Sequence, residues 1–164
     1  YFPGGKLVDL GCLDSQIPQI AKKKFPTSEI WGLDFVPEVI KSYKETDPSI
    51  YYVVANVYKT TLPSNYFNYV ILGEVIEHLE RPTDAIHEAV RILKKDGILA
   101  ISTPLEEAIE PGAVDKDRHL WSFNETDIRE MLGVYGSVKI KIMRSKWFPY
   151  RYKFPTIIAY LKKK

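Results

Sequence analysis

Five short apolar runs, most of them separated from the next by a stretch with helical spacing, constrain this chain more than any other feature. KLVDL (6–10), EIWGLD (29–34), IYYVVA (50–55), FNYVIL (67–72) and GILAIST (97–103) have strand length and are rich in β-branched and aromatic residues. Ser15 to Lys24 carries Ile17, Ile20 and Ala21 at helical spacing. Val36, Val39, Ile40 and Tyr43 form a second helical stripe around Pro37, a residue suited to a first helical turn. Pro82-Thr83-Asp84 opens a third, with Ile86, Ala89, Val90 and Leu93 facing inward, and Lys94, Lys95 and Gly97 are expected to end it. This alternation predicts an α/β fold, a mostly parallel sheet with helices on both faces. SVKIKIM (137–143) and PTIIAYLK (155–162) follow with no helix between them, so they are expected to pair antiparallel at one edge. Asn124 and Asp127 have the spacing of a helix cap, and predict a short helix to Leu132.

The 164 residues fit a single domain, 1–164, with a true core. No apolar stretch approaches the length of a membrane span, and the first five residues lack the basic and apolar regions of a signal peptide. The chain opens almost directly on a strand, so an N-terminal helix is expected upstream of residue 1. One cysteine, Cys12, excludes an internal disulfide and a multi-cysteine zinc site, and suits a reducing cytoplasm. The net charge of +2 hides an asymmetry: residues 139–164 carry nine Lys/Arg and no Asp/Glu, against 14 basic and 21 acidic residues before them. This block includes SKWFPYRYKFP (145–155), whose aromatics interleave with cations as they do where a nucleic acid or other anionic substrate is gripped. The simpler reading is an edge hairpin whose lysines discourage aggregation.

In open parallel sheets ligands bind beyond the carboxyl ends of the strands, where strand order reverses. The residues that follow each run are therefore the candidates for function. After the first comes DLGCLDS (9–15), where Gly11 lets backbone approach a ligand ahead of a helix N-terminus. After the second comes Asp34, a carboxylate able to accept from two ribose hydroxyls. After the third, Asn56 and the adjacent Val57 N–H can read an adenine edge. After the fourth comes GEVIEHL (73–79), with Glu74, Glu77 and His78 spaced to share one face of a helical turn.

In this order and spacing, KLVDLGC, EIWGLDFVPEVI, YFNYVILGEVIEHLERP and AVRILKKDGILAISTP resemble the class I S-adenosylmethionine-dependent methyltransferases, and within them the small enzymes with an EVIEHL-type stretch after strand four. The resemblance spans nearly the whole chain. It implies a Rossmann-like seven-stranded sheet with an antiparallel last strand, and S-adenosyl-L-methionine as cofactor. It further implies that Asp9, Gly11 and Cys12 lie under the methionine moiety and that Asp34 holds the ribose. By the same resemblance Phe35 lies against the adenine, Asn56 and Val57 read its edge, and Leu72, Gly73 and Glu74 pass the sulfonium. Leu13 and Ser15 replace two of the three alternate glycines usual in the first turn, Asn56 stands where Asp is common, and Asn68 where an acidic residue is usual.

The same resemblance implies methyl transfer to an O or N atom of a small-molecule acceptor, with His78 or His119 as base or its orienter and Glu74 shaping the pocket. Glu74, Glu77, His78 and His119 also resemble the Glu-x-x-Glu-His…His set of metal-assisted O-methyltransferases, which leaves open a metal-assisted reaction on RNA or another anion. Two further alternatives remain: a nicotinamide oxidoreductase, which wants G-x-G-x-x-G where GCLDSQ offers one glycine, and a non-catalytic relative that binds the cofactor or a partner.

Overall fold

The computed structural model describes residues 4–13, 16–105, 119–144 and 155–164. Its seven strands are β1 (Lys6–Leu10), β2 (Glu29–Asp34), β3 (Tyr51–Val54), β4 (Phe67–Gly73), β5 (Leu93–Pro104), β6 (Gly136–Met143) and β7 (Thr156–Lys163). They form one sheet in the order β3-β2-β1-β4-β5-β7-β6. β7 runs antiparallel to both neighbours and the other pairings are parallel, as the alternating runs predict. Four helices accompany them: α1 (Gln16–Lys24), α2 (Pro37–Thr46), α3 (Pro82–Ile92) and α4 (Glu125–Gly133).

Central position shows in burial. β1 lies between β2 and β4, and Leu7 to Leu10 are all buried, Asp9 included, because helices cover both faces. β6, at the sheet edge, alternates instead: Val138, Ile140 and Ile142 turn toward the core while Lys139 and Lys141 face solvent. The basic, aromatic stretch 145–154 lies outside the described residues, as does most of the acidic loop after β5. The residues that flank these stretches sit at one corner: Pro104 and Met143 both oppose Thr156, and Leu105 N donates to Pro155 O.

Three local expectations differ from the structure. Ile17 and Ile20 do not turn inward on α1; Pro18 and Ala21 do, and Ile20 is 65% exposed. α3 stops at Ile92, five residues before Gly97, because Leu93 already pairs with Phe67 of β4. The left-handed residue of this corner is Asp96, at φ 60°. α4, in contrast, starts as expected. Asn124 Oδ1 accepts from Thr126 N and Asp127 N, and Asp127 Oδ2 accepts from Asn124 N, a complete capping box.

α3 also anchors the loops around it. Buried Glu88 accepts from Thr60 N (2.7 Å) and Thr60 Oγ1 (2.6 Å), and is clasped by Arg91 through two hydrogen bonds of 2.7 Å. Arg91 extends the tie to Leu62 O and Ser64 Oγ. From the last strand, Lys163 Nζ donates to Val90 O and Leu93 O, satisfying carbonyls at the C-terminus of α3. The loop between β3 and β4 is thus fastened to a helix almost thirty residues away, which fixes the residues that leave β3.

Arg91 beside Glu88 holds the Glu88 carboxyl down at about 2. Its folded-state value lies below the ordinary one, so its stabilisation is present above pH 4.5 and fades as pH falls toward 2. Glu88→Gln is expected to cost about 2 kcal/mol at pH 7, and less at pH 3, in urea denaturation.

Candidate functional site

At the centre of the sheet, the connections that follow β1 and β4 lead to opposite sides. The chain runs from β1 outward to β2 and β3, then returns to β4 on the other side of β1. The exits of β1 and β4 therefore diverge and open a cleft. The exit of β1 is a tight bend in which Gly11 N and Cys12 N both donate to Leu33 O at the end of β2, at 2.7 and 3.0 Å. Gly11 has φ +84°, and a Cβ there would stand 2.7 Å from Val75 Cγ2. Two separate constraints therefore demand glycine: a left-handed backbone and close approach of the segment that follows β4.

The cleft has a volume of about 550 Å³ and is lined by residues from four strand exits. Gly11 and Leu13 come from the first, Asp34 to Val36 from the second, Asn56 to Tyr58 from the third, and Glu74, Val75, His78 and Leu79 from the fourth. Of the predicted cofactor residues, Gly11, Asp34, Phe35, Asn56, Val57 and Glu74 meet here, with His78 of the predicted catalytic set. Asp9, Cys12 and Leu72 are buried beneath the cleft instead. The Leu72 side chain belongs to the main core, and Cys12 packs against the backbone of Gly32. A second groove of about 710 Å³, lined by Glu80, Arg81, Trp121, Asp127 and Met131 among others, contains none of the predicted site residues.

Each lining group is held by local chemistry. Asp34 is 3% exposed, and its Oδ1 accepts from Val36 N at 3.0 Å, so the carboxylate is fixed as the chain turns into α2. Val36 rather than Asp34 occupies the N-cap position. Phe35 is 74% exposed, an aromatic face at the rim. Asn56 Oδ1 accepts from Tyr58 N at 2.9 Å, which leaves the side-chain NH2 as its donor. Tyr58 carries the Arg81 guanidinium over its ring, 4.8 Å from the centroid.

The segment after β4 departs from the helical face expected of it. Glu74 has φ +53°, a conformation uncommon for a residue with a side chain, and Ile76–His78 make a single 3-10 turn. Glu74 lines the cleft together with His78. Glu77 points the other way, into the protein, and is 1% exposed. Its backbone carbonyl accepts from Leu120 N (2.7 Å) and Trp121 N (3.3 Å), while Trp121 Nε1 donates to Leu79 O (2.7 Å). These bonds press the strap 119–123 onto the turn and bring His119 beside His78, ring centroids 4.7 Å apart and nearly edge to face.

Glu77, His78 and His119 thus converge, with one donor atom of each within 4.8 Å of the others. Glu74, the fourth residue of the metal-assisted resemblance, is not one of these three. Glu77 was absent from the catalytic candidates. Its signal was a carboxylate one residue before a candidate histidine, but its burial depends on a strap forty residues away. Neither carboxylate oxygen of Glu77 has a hydrogen-bond partner among the described residues. Burial pushes its pKa up to about 7, and the nearby Glu74 charge adds to the rise. The nearby backbone N–H of Glu77 itself opposes it most, followed by His119 and by Thr103.

Comparison with known proteins places this architecture. A family model described as "Methyltransferase domain" matches residues 8–101, more than half the chain. The mitochondrial ubiquinone biosynthesis O-methyltransferase of Schizosaccharomyces pombe is 28% identical over 107 residues, which cover 62% of this chain and 39% of that protein. The chain thus spans well under half the length of the curated relatives it matches. Among solved structures, a methyltransferase of Haloferax volcanii in complex with the Trm112 methyltransferase activator superposes with a TM-score of 0.76 at 16% identity, covering 98% of this chain and 82% of that one. A plantazolicin methyltransferase in complex with a desmethyl-plantazolicin analogue and S-adenosylhomocysteine gives a TM-score of 0.76 at 13% identity, covering 97% and 76%. At such identities these likenesses concern the fold.

Glu77 yields a prediction that depends on no ligand. Its folded-state pKa of about 7 exceeds the ordinary 4.5, so the folded protein binds the proton more tightly than the unfolded chain. Stability therefore falls as pH rises from 4.5 through 7, by up to about 3 kcal/mol. Glu77→Gln is expected to be more stable than wild type at pH 8 and close to it at pH 4.5. Equal urea midpoints for the two proteins at pH 8 would refute the buried-charge account.

Proposed function

Because the chain belongs to the methyltransferase domain family, whose cofactor is S-adenosylmethionine, we propose that it transfers the sulfonium methyl group to an oxygen or nitrogen atom of a small-molecule acceptor. The observation that carries this reading is the convergence of Gly11, Asp34, Phe35, Asn56 and Val57 on one cleft at the switch point of the sheet. These side chains match a single nucleoside. Asp34, fixed by Val36 N, offers its carboxylate to the ribose diol. Phe35 offers an exposed ring for adenine to lie against. Asn56, with its oxygen occupied by Tyr58 N, offers NH2 to a ring nitrogen, beside the backbone of Val57. The Gly11 bend, with Asp9 and Cys12 beneath it, supports the methionine moiety. Leu72 contributes only backbone, and Gly73 and Glu74 carry the chain past the sulfonium.

The bound cofactor supplies an activated methyl group whose leaving group is already good. The remaining work of the protein is alignment, exclusion of water and acceptance of a proton. His78 lines the cleft and His119 stands beside it, so the imidazole pair is the proton acceptor of this reading. Glu74, held at its left-handed φ, shapes the wall on the same side. The likeness to the fission yeast O-methyltransferase supports an oxygen acceptor. An anionic acceptor would draw on the basic block 139–164, of which Lys139 and Lys141 lie exposed on β6, the strand farthest from β3.

Asp34→Ala is expected to weaken binding of S-adenosylhomocysteine by about 10- to 100-fold, the effect of losing a charge-assisted hydrogen-bond pair, in calorimetric titration. An unchanged dissociation constant, or tighter binding of NAD than of S-adenosylhomocysteine to the wild type, would remove the proposal.

A further inference from the structure

A sheet sealed by helices on both faces buries every side chain of its central strands, and β4, β5 and β7 fall short of that. Their residues alternate. Val70, Leu72, Leu99, Ile101, Ala159 and Leu161 are fully buried in the core shared with α3 and α4. On the opposite face Ile71, Ile98, Ala100, Ile158 and Tyr160 are only half-buried, apolar though they are. The placing of the helices is the cause. α1 and α2 pack on β1, β2 and β3, whereas α3 and α4 pack on β5, β6 and β7 from the other side. Among the described residues no helix packs over the α1 side of β5 and β7.

This uncovered surface is a trough. Its floor is made of small residues, Gly73 on β4 with Ala100 and Ser102 on β5. One wall is α1: Ile17 Cδ1 lies 3.6 Å from where a Cβ on Gly73 would stand, and Ile20, one turn on, is 65% exposed. The other wall is Tyr160 and Ile158 of β7, in register with Ala100 and Ser102. From β4 to β7 is two strand spacings, roughly 10 Å, the width of one helix. Strand pairing carries each row of the floor outward to a cation. The row Ile71–Ala100–Tyr160 ends at Lys139, and the row Gly73–Ser102–Ile158 ends at Lys141, both exposed. On the other side the α1 stripe continues from Ile20 to exposed Lys24, on a helix with no acidic residue.

We propose that this trough is the docking site for an amphipathic helix of a partner protein, apolar along one side and acidic along both flanks. Shape and charge select that occupant. A helix seated about 8–10 Å from α1 would lie over β4 and β5, with its apolar side against Ile17, Ile20 and Tyr160. Its acidic flanks would meet Lys24 on one side and Lys139 and Lys141 on the other. A second copy of this chain would bring the same lysines against these, like charge against like. A bilayer is flat, and its surface does not reach a floor of small residues recessed between α1 and Tyr160. The inference does not depend on the methyl acceptor.

The probe is an acetylated and amidated helical peptide of about 15 residues, with leucines along one side and glutamates flanking them. A peptide with the same leucines and lysine flanks is its counterpart. Calorimetric titration into the 164-residue chain is expected to give the acidic peptide a dissociation constant on the order of 10 μM, and the basic peptide one about tenfold weaker or more. Ile20→Glu is expected to weaken the acidic peptide about tenfold, and Lys139→Glu together with Lys141→Glu to reverse the preference between the two peptides. These side chains are exposed, so the variants are expected to fold, with circular dichroism as the check. No binding of the acidic peptide at about 500 μM, equal affinity for the two peptides, or an affinity unchanged by Ile20→Glu would overturn the inference. So would a wild-type dimer in sedimentation that Ile20→Glu dissociates, since a second copy would then fill the trough. Retention on phosphatidylglycerol vesicles that Ile20→Glu abolishes would overturn it as well, in favour of a membrane.

Discussion

One carbonyl oxygen organises the centre of this molecule. Leu33 O, at the end of β2, receives both Gly11 N and Cys12 N as the chain leaves β1. The bond pair folds the exit of β1 toward β2, so the first half of the chain must bend away from β4. Only glycine permits the bend, since φ is +84° and Val75 Cγ2 would meet any Cβ. The same position thus joins the two diverging halves of the sheet: the amides of 11 and 12 hold to β2, while the missing side chain admits the segment that follows β4. The cleft is the space left by this divergence.

The walls of the cleft depend on groups well away from it. The residues leaving β3 are held because Thr60, Leu62 and Ser64 tie to Glu88 and Arg91 on α3. α3 in turn has its last carbonyls satisfied by Lys163 of β7. The chain's last described strand therefore supports a loop near its middle, through one helix. Such charged ties are specific in direction, and they resist the slippage that apolar packing alone would allow.

The opposite wall carries an electrostatic cost. Glu77 is desolvated and faces the Glu74 charge, and its own backbone N–H, His119 and Thr103 offset this only in part. A chain selected for stability alone would place an apolar residue there. Retention of a costly charge beside two imidazoles, in a turn whose preceding residue is held at a left-handed φ, has the character of strain concentrated at a working site.

Alternating short runs and helical stripes were enough to specify the parallel sheet, its antiparallel edge and the capped start of α4, because strand and helix periods and cap chemistry are local. Gly11, Asp34 and Asn56 could be picked out because a doubly wound sheet presents whatever follows its strands to one edge. What lay beyond the sequence was every feature that depends on a neighbour distant in the chain. Ile17 and Ile20 have helical spacing, but whether such a stripe is covered depends on what packs against it, and here Pro18 and Ala21 face the sheet. Glu74, Glu77 and His78 have the spacing of one helical face, yet Glu74 takes a left-handed φ and Ile76–His78 form a 3-10 turn, so Glu74 and His78 line the cleft while Glu77 is buried. The approach of His119 to His78 and Glu77 requires the strap at 119–123 to fold onto the turn after β4, and no local pattern encodes a contact made across forty residues by backbone hydrogen bonds.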